Sequence, residues 1–178
     1  MDFFEVALNR RSIRKFKDME IPEEMIDQIL TAGIWAPSGM NNQPWRFAVI
    51  RDKELKSEIA KLTKHKAILE NAPVIIPVFI DYNVTYDSLK DAQAVGACIQ
   101  NMLLAIHALG LAGAWIGEIL KNGDKVVELC GAPKKYELMA VTCIDYSTEL
   151  HKEGKRKGLD EVVFFRKQKI ILAHYFYK

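Results

Sequence analysis

Cysteine is scarce in this chain: there are three, Cys98, Cys130 and Cys143, and no two of them form a CxxC pair. An odd number at wide spacing excludes a disulfide framework or a zinc ribbon and fits a reducing, cytoplasmic setting. An excess of either charge is also missing, because 25 Lys+Arg against 23 Asp+Glu leaves only +2. The broad basic field of a dedicated nucleic-acid binder is therefore absent, and any anion site must be local. Unbroken apolar runs are lacking as well: the most apolar window, 92–109, contains Gln93, Gln100, Asn101 and His107. It falls short of a membrane span and is expected to be a soluble helix. The opening MDFFEVALNRRSIRKF places acids before arginines, opposite to a secretory signal, so no targeting segment is expected. Without fixed-period repeats or low-complexity tracts, solenoids and linkers are excluded.

What is present is enough apolar residue, 49% of 178, to build a real core in one domain. Asp2 with Glu5 makes a capping-box-like start to a short helix ending near Asn9. Pro22 at the first helical position and Met25, Ile26, Ile29 and Leu30 at helical spacing predict a second helix closed by Gly33. Between Ala36 and Pro44, turn formers bounded by prolines predict an ordered loop, followed by a strand over 45–50. Asp52 caps a polar helix to about Leu62, 72–80 reads as a buried central strand, and 91–109 as a helix buried on most sides. So apolar a helix in so small a protein invites a partner. Glycines 110, 113 and 117 punctuate the next segment, Asn122 caps a helix through Leu129, and 138–144 forms another strand. An exposed loop over 149–158 and a short helix over 159–165 precede an apolar tail. The fold class expected is α+β, a single domain over 1–165 with a C-terminal tail over 166–178.

Three segments could carry chemistry. Arg10, Arg11, Ser12, Arg14 and Lys15 crowd cations and a hydroxyl where the first helix ends, which suits a phosphate because guanidiniums offer forked donors. By composition alone a solvated basic helix terminus explains them better. Ser38, Asn41, Asn42 and Gln43 offer groups that can bond a heteroaromatic ring edge, or can serve as ordinary turn residues. Gly113-Ala114-Trp115-Ile116-Gly117-Glu118 lets backbone approach a ligand closely, or makes a tight connection under a packed tryptophan. Single residues read more plainly. His107 is a core histidine, His151 and His174 lie in no ligand pattern, no metal is expected, and Cys98 is a small buried apolar residue.

Together, Arg10–Phe16, Ala36–Trp45, Ile99–Ala105 through Gly110-Leu111, Trp115-Ile116-Gly117 and Arg156–Val163 resemble the nitroreductase family of FMN-dependent oxidoreductases. The order and spacing of separate blocks over residues 3 to about 165 make the resemblance specific. It implies an α+β sandwich in an intertwined homodimer, a central mixed or antiparallel sheet flanked by helices, two FMN sites at the subunit interface, and NADH or NADPH as electron donor. By the same resemblance, Arg10, Ser12 and Arg14 hold the flavin phosphate and ribityl chain, Arg11 contributes side chain or backbone, and Arg156 closes on the phosphate. Pro37, Ser38, Gly39 and Asn41 reach in from the other subunit. Ile116, Gly117 and Glu118 lie along the isoalloxazine, the Gly117 N–H facing N5. Among Lys64, His65 and Lys66, Lys66 is the choice for the pyrimidine side. Gly158 stands where the family commonly has proline, and the tail would embrace the partner.

The expected reaction passes a hydride from NAD(P)H through flavin N5 to a small electrophilic acceptor, such as a nitroaromatic, quinone, flavin or enone. Its kinetics would be ping-pong, with no catalytic side chain, since the cofactor carries the chemistry. The alternatives are a non-catalytic FMN-binding or storage protein and, further off, an anion- or nucleic-acid-binding module. The expected partners are a second copy of the chain and a small-molecule acceptor, with no nucleic acid and no membrane.

Overall fold

The computed structural model describes residues 2–17, 19–147 and 154–167. A four-stranded antiparallel sheet, β1 (Trp45–Phe47), β2 (Val74–Asp81), β3 (Ala112–Ile116) and β4 (Tyr136–Asp145), runs in the order β1-β2-β4-β3. The helices are α1 (Phe3–Asn9), α2 (Glu23–Ile34), α3 (Lys53–Ala60), α4 (Lys66–Asn71), α5 (Ser88–Ala108), α6 (Gly123–Leu129) and α7 (Leu159–Val162). The expected α+β class with an antiparallel central sheet is what forms.

Strand alternation divides the core. Val74, Ile76, Val78 and Ile80 of β2 face α2 and α5, meeting Ile26, Ile29, Val95, Ile99, Met102 and Ile106. Ile75 and Phe79 face the opposite way, toward Ile59 of α3, Leu69 of α4 and Val126 of α6. Successive side chains of a strand point to opposite faces, so a strand buried along its whole length must be covered on both. The continuous apolar reading of β2 was therefore correct, although the strand occupies 74–81.

Several boundaries differ from expectation for identifiable reasons. Gly33 does not end α2; it lies inside the helix, where a Cβ would come within 2.8 Å of Met102 Cγ, so its lack of a side chain lets α2 pack closely on α5. Asn122 makes no side-chain cap on α6; its amide donates instead to the Leu62 carbonyl at 2.6 Å. The strand after the proline-bounded loop stops at Phe47, with Ile50 rejoining β2 only through an isolated bridge to Ile75. The terminal helix ends at Val162 rather than Phe165. α4 and β3 were not foreseen as elements. The long helix starts earlier than expected, at Ser88, with the Asp87 side chain accepting from Lys90 N. Part of the 149–158 loop and the tail from 168 onward lie outside the described residues.

Candidate functional site

The arginine segment leaves α1 and runs along the outer edge of β3. Arg10 N donates to Val6 O at 2.9 Å, closing the helix, and Ile13 N donates to Gly113 O at 3.1 Å. Bridges join Ser12 to Gly113 and Phe16 to Ser147. Ile13 is buried, so in this extended stretch its neighbours Ser12 and Arg14 turn outward and are exposed. One apolar residue thus fixes the direction in which two polar ones point.

Arg10 is the electrostatic centre of this edge. Burial, then Arg156, then Arg11 lower its guanidinium pKa from the ordinary arginine value, so the fold brings the late arginine to the early ones. Its Nη1 is buried with no hydrogen-bond partner among the described residues. Arg11 is committed to structure: Nη1 donates to Leu8 O at 2.7 Å and to Arg10 O at 2.8 Å. Gly154 lies against that guanidinium, where a Cβ would come within 2.6 Å of Cζ. A buried donor without an acceptor, crowded by like charge, is costly unless an anion completes it.

The loop between α2 and β1 is held by bonds within it and by bonds to Val84 and the start of α5. Met40, Asn41 and Gln43 adopt φ of 51°, 55° and 47°. Left-handed backbone at non-glycine residues costs roughly 1–3 kcal/mol each in the stricter cases and persists only under restraint. Ser38 Oγ accepts from Gln43 N at 3.0 Å. Asn42 Nδ2 donates to Asp91 Oδ1 at 2.8 Å and to Val84 O at 3.1 Å. A Cβ on Gly39 would collide with the Tyr86 hydroxyl. An open hollow of about 260 Å³ lies between Pro37, Ser38 and Gly39 and the α5 residues Lys90, Gln93 and Ala94.

The third piece is the exit from β3. Gly117 has φ −95° and ψ −19°, which any residue adopts, and a Cβ there would meet nothing closer than Trp115 Nε1 at 3.5 Å. Neither backbone nor packing among the described residues requires glycine at 117, so its bare backbone lies open to close approach. Glu118 accepts from Thr63 Oγ1 at 2.6 Å and from Lys64 N at 3.1 Å, and pairs with Lys121 at 2.5 Å. Those bonds, Lys121 first, hold its carboxyl down to about 2. The side chain is thereby an anchor that ties the 63–66 segment to the end of β3. Lys66 itself is exposed and pairs with Glu70 at 3.6 Å.

The remaining residues offer no rival chemistry. Burial pushes the Cys98 thiol up to about 12 and Cys130 to about 11, so neither supplies a thiolate near neutrality. His107 is buried on α5. Among the described residues no cluster of His, Cys, Asp and Glu could hold a metal, and no helix is long and apolar enough to cross a membrane. Sequence reasoning missed Asp91, Thr63 and Gly154 as partners of the site. Of these only Asp91, a lone carboxylate at the start of an apolar helix, left a signal to find.

With this arrangement in view, the family model of the nitroreductase family matches residues 7–73 and 60–146. The chain belongs to the nitroreductase family. A Methanothermobacter thermautotrophicus protein assigned as NADH dehydrogenase/NAD(P)H nitroreductase is 40% identical over 117 residues, covering 66% of this chain and 61% of that protein. A Desulfovibrio desulfuricans protein assigned as a nitroreductase, solved in complex with FMN, superposes with a TM-score of 0.88 at 38% identity, over 93% of this chain and 97% of that one. The NADPH:FMN oxidoreductase of Vibrio harveyi, solved with NAD+, gives a TM-score of 0.82 at 29% identity, over 93% and 77%. The nitroreductase fold, foreseen from five short blocks of sequence, is thus shared along nearly the whole chain.

Proposed function

We propose that this chain is an NAD(P)H-dependent FMN oxidoreductase that works as a homodimer and serves donor and acceptor in turn at one site. The observation that carries the reading is the buried, unpartnered Nη1 of Arg10 beside Arg156 and Arg11. A phosphate monoester supplies the missing acceptor and negative charge, and Ser12 and Arg14, turned outward next to it, add further donors. That donor set fits the phosphate and ribityl chain of FMN.

In this reading Pro37, Ser38, Gly39 and Asn41 belong to a preformed wall that each subunit lends to its partner's flavin. The support is a loop held in left-handed backbone beside an open hollow rather than folded into the core. Ile116, Gly117 and Glu118 line the ring, with the bare Gly117 backbone offering its N–H and Glu118 fixing the segment. Lys66 lies in the stretch that Thr63 and Lys64 anchor to Glu118. Bound FMN supplies the hydride-carrying centre between NAD(P)H and a small electrophilic acceptor. The protein's part is to hold charge at the phosphate, place an N–H donor against the ring and leave one face open. Dimer formation is supported by exposed apolar side chains on α1 and at the end of α2, with Phe3 67%, Leu8 68% and Trp35 81% accessible in the single chain. The acceptor class is a nitroaromatic, quinone, flavin or enone.

The test is the visible spectrum of the purified protein after incubation with FMN and desalting, then after anaerobic NADH and, separately, NADPH. The expected result is a retained flavin band that bleaches with at least one nucleotide and returns on adding a quinone or nitroaromatic, with parallel initial-rate plots. A colourless protein contradicts the cofactor assignment. A retained band that neither nucleotide bleaches points to a flavin-storage protein.

A further inference from the structure

The fold spends one fully buried carboxylate on the loop rather than on its own helix alone. Asp91 lies in the first turn of α5 and has no accessible surface. Its Oδ1 accepts from Asn42 Nδ2 at 2.8 Å, while Oδ2 accepts from Tyr86 N at 2.9 Å and Asp87 N at 3.2 Å. Asn42 and Tyr86 belong to different loops, 36–44 and 82–87, and both touch the same target. Asn42 is flanked by the left-handed Asn41 and Gln43, and Tyr86 roofs Gly39 so closely that a Cβ there would collide with its hydroxyl. A second bond from Asn42 to Val84 O repeats the link between the loops.

We propose that Asp91 is the positioning residue of the flavin loop: through Asn42 and the Tyr86 backbone it holds Ser38–Gln43 in the course, left-handed at Met40, Asn41 and Gln43, that presents the loop to FMN. The proposal rests on the FMN reading above and adds a residue that touches no ligand. Three strained residues in so short a span relax unless something outside the loop restrains them. A buried carboxyl group accepting three hydrogen bonds is a stiff restraint, because moving any one donor leaves a buried acceptor unsatisfied in a region of low dielectric. The loop's shape is thereby set by the start of α5, the helix on which a Cβ at the half-buried Gly96 would meet nothing within 4 Å, leaving room for a second copy in the proposed dimer. One subunit's helix start then governs how tightly its partner keeps its flavin.

The experiment measures how fast FMN leaves the holoenzyme on dilution, followed by the rise in free-flavin fluorescence, for the wild type, Asn42→Ala and Asp91→Asn. The control is Ile75→Val, a core truncation on the opposite face of the sheet that lowers the melting temperature without touching the loop. Expected are roughly tenfold faster release in both loop variants, an altered visible circular dichroism band of the bound flavin, and release within threefold of wild type in the control. If Asp91→Asn does not fold, Asn42→Ala, which removes a part-exposed amide, carries the test alone. Release within threefold of wild type in Asn42→Ala, or equal acceleration in Ile75→Val, overturns the positioning role. A wild-type protein that retains no FMN overturns the underlying reading instead, and is told apart by the wild-type spectrum alone.

Discussion

The cationic edge at 10–14 and the proline-bounded loop at 37–43 were equally ambiguous as sequence, and the fold treats them in opposite ways. At the edge, charge is gathered without full compensation: Arg10 is half-buried, crowded by Arg156 and Arg11, and keeps a buried, unpartnered Nη1. In the loop most donors are paired in advance: Ser38 accepts from Gln43, Asn42 donates to Asp91, and Tyr86 covers Gly39, while one acceptor, Asn42 Oδ1, is buried without a partner among the described residues. In the proposed site an anion would complete the first arrangement, whereas the second is held by bonds to its own scaffold. A binding site thus combines a part whose strain is electrostatic and relieved on binding with a part whose strain is conformational and held by the scaffold.

The comparison breaks most visibly at Arg10. Arg10→Ala is expected to weaken FMN binding by about 1.5–3 kcal/mol, the range for hydrogen bonds to charged groups, which is roughly ten- to a hundredfold in Kd by flavin-fluorescence titration. The ligand-free protein, relieved of repulsion with Arg156 and Arg11, should melt no lower than wild type. Arg14→Ala, at an exposed position, is expected to weaken FMN retention by about tenfold with the same absence of a stability cost. Next comes Gly39→Ala, which forces the Tyr86 ring away and should cost about 1–3 kcal/mol of unfolding free energy by urea titration, with or without ligand. The two regions then respond oppositely: removal at the edge harms binding and spares stability, while addition in the loop harms both.

The smallest expected effect sharpens the third region. Glu118 has its carboxyl lowered from the usual 4.5 to about 2 by Lys121, Thr63 and Lys64. A depressed folded-state pKa stabilises above the unfolded value, so its contribution is complete above about 4.5 and is lost as pH falls toward 2. Glu118→Gln should therefore narrow the gap to wild type steadily through that window, as read by melting temperature against pH. A gap that stays constant from neutrality to pH 2 would remove the carboxylate from the anchor.

The long-range order of the chain was legible where periodicity and caps agree. α2, α5 and the central strand follow from apolar spacing, and Asp2 and Asp52 cap their helices by accepting from Glu5 N and Leu55 N. What could not be read depends on partners distant in the chain. β3 begins with the small residues Ala112, Gly113 and Ala114, and its strand character comes from pairing with β4 on one side and Ser12 on the other. The amides of Asn42 and Asn122 look like turn and cap groups until Asp91 and the Leu62 carbonyl are placed beside them. Of the 63–66 segment, sequence could show that cations lie near the site but not that Thr63 and Lys64, rather than Lys66, make the contacts with Glu118.

The claim at the centre of this account is that the arginine edge is a phosphate site, and the most direct measurement is the affinity of the wild-type protein for FMN against riboflavin, which differ only in that phosphate. FMN is expected to bind at least a hundredfold more tightly in low salt, with the difference shrinking roughly ten- to a hundredfold in Arg10→Ala. Equal affinities for the two flavins in the wild-type protein would contradict it.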